Sequence, residues 1–508
     1  MTDSAVAATA TTTTTTATTA ATPSRRSTSW LRSSWQFIAF LLVFLLGGAA
    51  FIAITPPGLN PDEPTHVFRA WQVAHGGFVS VESENQPHVR DGEVGGVVPT
   101  AWPALFAESH YQRGFEDPTT FRDLDWSKLA SLHASADDTG WVTFTNTAQY
   151  APVAYVPQVV AIWVGEALDL PVLVTLELGR ALGLLAVAGL LLAAARLTPV
   201  GRLAFFAIGM FPSVVSQAAS FSADGVTLGL CVLATAVVLR WSLRDGPLGW
   251  WRWLLLGVLF VGIALVKPTY APLAVIVLAI PFRNPAARSW RAIASTAAVA
   301  VSAMVALLGW LRATSWISTG VNPLNDPAEQ RAYVIGAPFA FVKATVKSLV
   351  FDGPTGLTDQ KGEIWRGVFG SFSWLRSPLP MVFVILLVVV VVLAILTVEP
   401  HERAAVRALR GGVVWRVVVA AGAAAVIGAV CLALYIYYTP TKGLVLEGLQ
   451  GRYFLPVLPA VVLLFLGGRL VSTRGVRPFV FIACAVAIGA GIATVDLHWY
   501  NSFLPYWG

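Results

Sequence analysis

Long apolar stretches alternate with short arginine-rich segments along most of the chain, and this alternation constrains the fold more than any single motif. The first stretch, Trp35 to Ile54, carries no charged residue. Coiled as a helix it is long enough to cross a hydrocarbon core of about 30 Å. Later apolar runs occupy approximately 171–195, 202–219, 224–240, 252–266, 268–281, 291–312, 379–397, 413–438, 453–468 and 478–495. With 56% hydrophobic and 12% charged residues and a mean hydropathy of +0.67, the sequence is that of an integral membrane protein.

Charge sorts the connections by side. Arg25, Arg26 and Arg32 precede the first run, and Arg196–Arg202, Arg240–Arg252, Arg283–Arg291, Arg403–Arg416 and Arg469–Arg477 separate later ones. Short basic segments stay cytoplasmic. The alternating connections Ser220–Asp224, Lys267–Tyr270, 313–378 and Thr439–Tyr453 then face outside. The pattern predicts an all-α polytopic protein with about eleven spans, N-terminus inside and C-terminus outside. It also predicts that 151–168 does not cross, because otherwise every later basic segment falls on the wrong side. Pro152, Pro157 and Glu166 suit an interfacial or re-entrant helix there. Residues 252–281 have basic segments at both ends, so they form a hairpin turning at Lys267-Pro268-Thr269-Tyr270, sunk in the outer leaflet. Trp241, Trp250, Trp251, Trp253 and Trp290 fit an inner aromatic belt.

The chain divides accordingly. Residues 1–34 read as a disordered cytoplasmic Thr/Ala-rich tail, 35–54 as an uncleaved signal anchor, and 55–170 as a large extracytoplasmic loop with interfacial helices. Spans fill 171–312 and 379–495, a second outer loop covers 313–378, and 496–508 form an outer tail. The three cysteines all lie in apolar runs, so neither a disulfide framework nor a cysteine metal site is expected. The net charge of +6 is distributed by membrane side and does not point to nucleic acid.

The loop opens on Asn60-Pro61-Asp62-Glu63-Pro64-Thr65-His66. From Pro56 to Tyr150 the chain holds 13 of 28 acidic residues, 5 of 34 basic ones and 5 of 7 histidines. The histidines show no metal-binding spacing. Asp62 and Glu63 emerge on a proline-stiffened mount at the membrane face, where a proton-abstracting site for a lipid-borne substrate would stand. Their plainer use is to cap a helix starting near Pro64. Val67, Phe68, Trp71, Ala74 and Phe78 have nearly helical spacing and predict an amphipathic helix at the interface. His66 lies one turn on and reads either as a solvated histidine or as a substrate contact.

Four further positions carry charge or polarity at the outer face. Arg452, in Gln450-Gly451-Arg452-Tyr453, either snorkels to headgroups or binds phosphate through its forked donors. Lys267 beside Tyr270 is costly at membrane depth and reads as functional. Arg180 follows Glu177 by three residues, so an intrahelical pair and a phosphate contact are both open. Asp224 most simply starts a helix.

These motifs are also where a resemblance appears. PDEPTH (61–66), FPSVVSQAASFSADG (211–225), KPTY (267–270) and QGRYFLP (450–456) together resemble a bacterial membrane protein family of unknown function, numbered 2142 and grouped with the GT-C glycosyltransferases. The likeness covers roughly residues 35–495. It implies a GT-C-like fold and transfer of a sugar from a polyprenyl-phosphate donor to an extracytoplasmic glycan, lipid or protein acceptor, in a bacterial plasma membrane. The catalytic acid of the first outer loop would fall on Asp62, with Glu63 as its neighbour. APVAYVP (151–157) is similar to the superfamily's juxtamembrane segment. A soluble C-terminal carbohydrate-binding domain is lacking, which leaves the acceptor undefined.

The resulting expectation is a lipid-linked sugar transferase. Asp62 would deprotonate the acceptor, while Lys267, Arg452 and Arg180 hold the leaving phosphate. His66, Asp224, Tyr270, Gln450 and Tyr453 complete the substrate-binding set. A divalent cation, Mg²⁺ or Mn²⁺, at Asp62 and Glu63 is compatible but not required. The alternatives are a transporter or flippase of lipid-linked glycans, for which no internal repeat is visible, and a non-catalytic scaffold of envelope assembly.

Overall fold

The computed structural model describes residues 26–83, 93–110, 124–317, 324–351, 363–410, 412–466 and 473–501. The Thr/Ala tract through residue 25, Arg469, and tail residues 502–508 lie outside the described residues. Helices dominate. The first, α1 (Arg26–Ile54), leads through a proline-rich turn to α2 (Glu63–Ala74). The loop that follows builds an antiparallel sheet from β1 (Val81–Glu82), β2 (Val94–Pro99) and β3 (Thr139–Thr143), with α3 (Ala101–Glu108) and α4 (Trp126–Ala130) around it. Gly95 pairs with both Val81 and Thr143, and a Cβ there would lie 2.0 Å from the Val142 carbonyl oxygen. Close strand approach therefore requires glycine at that position.

After a 3₁₀ turn at Pro152–Tyr155 come α5 (Val156–Ala167) and α6 (Val172–Leu197). Next are α7 (Arg202–Gly209), α8 (Pro212–Ala218), α9 (Asp224–Ser242) and α10 (Trp250–Val266). A 3₁₀ helix, Pro268–Leu278, continues into α11 (Ala279–Arg283), followed by α12 (Trp290–Ala313), α13 (Pro327–Gly336) and α14 (Pro338–Val346). Then come α15 (Glu363–Phe369), a hairpin of β4 (Ser371–Phe372) and β5 (Ser377–Pro378), α16 (Met381–Leu396), α17 (Arg403–Arg410) and α18 (Val413–Tyr437). A 3₁₀ turn at Gly451–Val457 leads to α19 (Leu458–Leu464), and α20 (Thr473–Asp496) ends the set.

Among the described residues, six helices are long and apolar enough to cross a membrane, or up to eight if each of two bent pairs counts as one span. Trp250–Val266, Pro268–Arg283 and Gly451–Leu464 are apolar but shorter. The run 202–219 is not one helix. Phe211 is extended (φ −62°, ψ 137°) because a residue before proline is pushed out of the helical region, and Pro212 restarts the helix as α8. At 12 residues α5 spans about 18 Å and is too short to cross. The stretch 313–378 is partly helical: Pro327–Gly336 and Pro338–Val350 form an apolar pair bent by 101°.

Two cores hold these parts. The larger packs aromatic residues of α1 (Phe40, Phe44, Phe51) against α7, α8 and α20. The smaller lies within the first loop, where Val67, Trp71, Trp102, Phe106, Phe144 and Tyr155 meet. Here α2 differs from expectation. Its apolar face is covered by protein and not left bare for lipid: nine of its twelve residues are buried beneath the sheet and α5. Arg69 fixes it there by donating to the carbonyls of Gly77 (2.8 Å), Phe78 (2.6 Å) and Tyr150 (3.1 Å). Phe78 lies beyond the helix and is exposed.

Candidate functional site

Four segments far apart in sequence meet at the N-terminus of α2: the turn carrying Asp62, the approach to α9, the turn after α10, and the 3₁₀ turn at Gly451. Gly451 makes the last approach possible, since a Cβ there would sit 2.1 Å from the Ile364 carbonyl oxygen of α15.

Asp62 occupies the N-cap position of α2 in the left-handed region (φ 62°) but makes no side-chain bond to the helix amides. Its carboxylate turns outward. Oδ1 accepts from Asn146 Nδ2 at 2.9 Å, and Oδ2 lies 3.2 Å from an Arg452 guanidinium nitrogen. The side chain is 30% exposed, against 0% for Glu63. The plain capping role is therefore absent, and Asp62 is the accessible carboxylate of the pair.

Glu63 is closed off. Its two oxygens accept from the Gly58 amide, Asn60 Nδ2, the Phe221 amide and Arg180, whose Nε and second nitrogen lie at 2.8 and 2.6 Å. Burial alone would raise the Glu63 pKa. The Arg180 charge and the hydrogen bonds from Arg180, Asn60 and Phe221 more than offset it, and the carboxyl sits below its ordinary value. Arg180 also donates to the carbonyls of Thr55 and Pro56 and to Glu177. Its five N–H groups are thus all used, and none is left for a phosphate. The expected phosphate contact gives way to pairing, chiefly with Glu63 in addition to Glu177. This pair clamps the proline-rich turn to α6 and so aims Asp62.

A second chain of charges runs from Asp62 through Arg452 and Asp224 to Lys267. Asp224 accepts from Lys267 Nζ at 2.7 Å and lies 3.4 Å from Arg452. Lys267 sits over the rings of Tyr150 (5.4 Å) and Tyr453 (5.1 Å), and Arg452 over Tyr453 (5.3 Å). Tyr270 donates to the Tyr453 carbonyl at 2.9 Å and braces the turn. Gln450 is buried at the start of the same turn. His66 is enclosed, with Nδ1 2.8 Å from the Tyr155 hydroxyl and Nε2 3.4 Å from Ser222 Oγ. Burial pushes its pKa down to about 4, so at neutral pH it is an uncharged imidazole rather than a solvated histidine.

A metal shared by Asp62 and Glu63 does not fit these residues. Both Glu63 oxygens face a guanidinium, and among the described residues no group of three or more His, Cys, Asp or Glu could hold an ion.

The charge chain heads an apolar groove of about 500 Å³. Lys267, Tyr150, Tyr453 and Asn146 line it together with Leu307 and Leu311 of α12 and with Ala429, Val430, Ala433 and Tyr437 of α18. A further apolar cavity of about 270 Å³ between the 3₁₀ helix and α12 shares Pro272 and Leu307 with it.

The family model described as Predicted membrane protein (DUF2142) matches residues 44–461. The chain belongs to the DUF2142 family. No curated protein and no solved structure matches it. Within this DUF2142 chain, the sequence-derived residues Asp62, Asp224, Lys267 and Arg452 lie in one connected cluster, with Tyr270, Gln450 and Tyr453 around it. Asn146, Tyr150, Tyr155 and Ser222 were not foreseen. Only Tyr150, an aromatic residue closing the polar loop just before an apolar run, carried a signal that could have found it.

Proposed function

We propose that the protein is a membrane glycosyltransferase of GT-C type, taking a sugar from a polyprenyl phosphate and delivering it to an acceptor on the extracytoplasmic face. The observation that carries this reading is the groove: an apolar channel among helices, headed by Lys267 and by the residue that holds Asp62, suits a lipid tail with an anionic head. Alternating basic segments support about eleven spans with the N-terminus inside, the short and broken helices serving as some of them. The plasma membrane of a bacterium is the setting this implies.

In the reaction, the acceptor hydroxyl attacks the anomeric carbon as its proton passes to Asp62. The bond from that carbon to the phosphate oxygen breaks, and the polyprenyl phosphate leaves with both electrons. Lys267 and Arg452 stabilise the charge that develops on it. Asp224 sits between these cations, holds them in register, and must share them with the phosphate. Tyr453 and Tyr270 set the depth of the cationic turn. Glu63 and Arg180 position Asp62 without touching substrate, and His66 fixes the wall behind it as a neutral group.

A polyprenyl phosphate carrying a photoreactive group in its tail tests the reading on purified protein. Crosslinking is expected in peptides containing Leu307, Leu311 and Ala433, together with turnover of the sugar-loaded lipid. Crosslinks confined to other helices, or groove labelling without transfer, would count against a transferase and leave a carrier of lipid-linked glycans as the better account.

A further inference from the structure

Among the described residues a second cavity shares no lining with the groove, although Arg452 and Tyr453, adjacent in sequence, divide between the two. Five polar residues of α8 and the turn after it, from Ser213 to Ser222, form one wall. The β4–β5 hairpin and the Gln450–Arg452 turn form another, and Asn60 and Pro61 bring the cavity up to the residue before Asp62. Four buried polar atoms here have no hydrogen-bond partner: Ser371 Oγ, Ser373 Oγ, Gln450 Oε1 and Arg452 Nε. Ser373, Gln450 and Arg452 are each more than nine-tenths buried. Proteins rarely leave such groups unsatisfied, so a cluster of them beside one void marks a place where something polar binds.

The chemistry of the lining narrows what that is. Among the described residues the lining holds no carboxylate and no lysine, and the one guanidinium there is already shared by Asp62 and Asp224, so these residues call for neither a cation nor a second phosphate. Two hydroxyls, an amide oxygen and one N–H match neighbouring hydroxyl groups that both donate and accept. Phe372, Leu375 and Leu449 supply apolar surface against which the C–H face of a ring can lie. The void itself is about 30 Å³, room for about two or three hydroxyl-sized groups.

We propose that this cavity seats the hydroxyl-bearing edge of a glycosyl unit, with the rest of the ring extending toward Asp62. The inference rests on the transferase reading and deepens it. The sugar is either the one carried by the lipid phosphate or that of the acceptor.

Saturation-transfer NMR on the full chain in nanodiscs separates these cases, using methyl glycosides of hexoses and N-acetylhexosamines as probes. A polyprenyl phosphate with and without sugar serves as the lipid probe. Ser216→Leu fills the cavity from a helical position, while Ser371→Val replaces an unpartnered hydroxyl by a methyl group. The wild type is expected to bind a glycoside, Ser216→Leu to lose that binding, and Ser371→Val to weaken it about 2- to 10-fold, the effect of one lost hydrogen bond. Ser371→Val should melt no lower than wild type, and both variants should bind the bare lipid phosphate as wild type does. Glycoside binding that survives saturation with sugar-loaded lipid assigns the cavity to the acceptor, and displacement assigns it to the donor sugar. Glycoside binding unchanged in both variants would overturn the proposal. So would a wild type that binds no glycoside and does not distinguish sugar-loaded from bare lipid. Cavity-dependent glycoside binding in a protein that transfers from no lipid-linked sugar would instead keep the site and remove the transferase.

Discussion

Glu63 and Arg180 lie 117 residues apart in sequence and form a two-pronged ion pair at 2.6 and 2.8 Å, with both side chains wholly buried. The neighbouring carboxylate, Asp62, instead faces a groove-lining asparagine and a second arginine. Two adjacent acidic residues thus divide the work of one stretch, one anchoring the turn and the other presenting an accessible oxygen.

Removing one partner of a buried pair strands the other charge. Glu63→Ala or Arg180→Ala is expected to cost about 3–5 kcal/mol, and Glu63→Leu with Arg180→Met to recover much of it. Thermal melting in detergent measures both. The pair also sets an acid limit. Glu63 has a folded pKa below its unfolded value of about 4.3, so its contribution is complete above that pH and fades as pH falls through the folded value. Single and double variants that melt alike would contradict the anchoring role.

His66 gives a pH dependence of different origin. The unfolded chain takes up a proton near pH 6.5, the folded chain only near 4, so the unfolded state binds more protons in between and stability falls as pH drops through that window. Between pH 7 and 5 this amounts to about 2 kcal/mol. His66→Asn should melt lower at pH 7 and close the gap on wild type by pH 5. A constant gap would show that His66 takes up its proton at the same pH in the folded and the unfolded chain, and that burial does not depress its pKa.

Lys267 and Arg452 are expected to bind the donor phosphate through charge-assisted hydrogen bonds of about 1.5–3 kcal/mol each. Alanine at either position should weaken binding of a polyprenyl phosphate roughly 10–100-fold. Arg452 is buried against Asp62 and Asp224, so an affinity unchanged in both variants, with the fold intact, would leave internal ion pairing as the role of these two cations.

The orientation is open to direct labelling. Ser135 and Ser289 are both exposed, the first in the large loop and the second in a basic connection. A membrane-impermeant thiol reagent on intact cells should modify Ser135→Cys and leave Ser289→Cys untouched. The native cysteines are all buried and should remain silent. Labelling of Ser289→Cys from outside would overturn the topology.

Much of the site was legible because its members break local rules. A lysine between two apolar runs, an arginine at the mouth of another, and paired carboxylates among prolines each cost something that packing alone does not explain. What the sequence could not reveal was which charge meets which. Arg180 had an obvious partner three residues away, and the partner that locks it, Glu63, is visible only once α2 folds back on α6. The capping role of Asp62 looked ordinary from composition, and only the left-handed backbone at that residue turns the carboxylate away from the amides. The sheet hid for another reason: β2 carries two adjacent glycines and no clean alternation, so neither propensity nor period marks it. The break in 202–219 was readable from Pro212, but hydropathy ran straight through it.

The central claim is that Asp62 is a base. Asparagine tolerates the left-handed backbone there and can still face Arg452 or Asn146, so Asp62→Asn should melt within about 1 kcal/mol of wild type. It cannot take up a proton at neutral pH, and loss of a positioned base typically costs about 10²–10⁴ in rate. The decisive measurement is turnover of a lipid-linked sugar by Asp62→Asn, read beside its melting curve and its affinity for polyprenyl phosphate. A stable variant that binds the lipid and turns over at least about 100-fold more slowly is the predicted result. A stable, lipid-binding Asp62→Asn protein with wild-type turnover would contradict it.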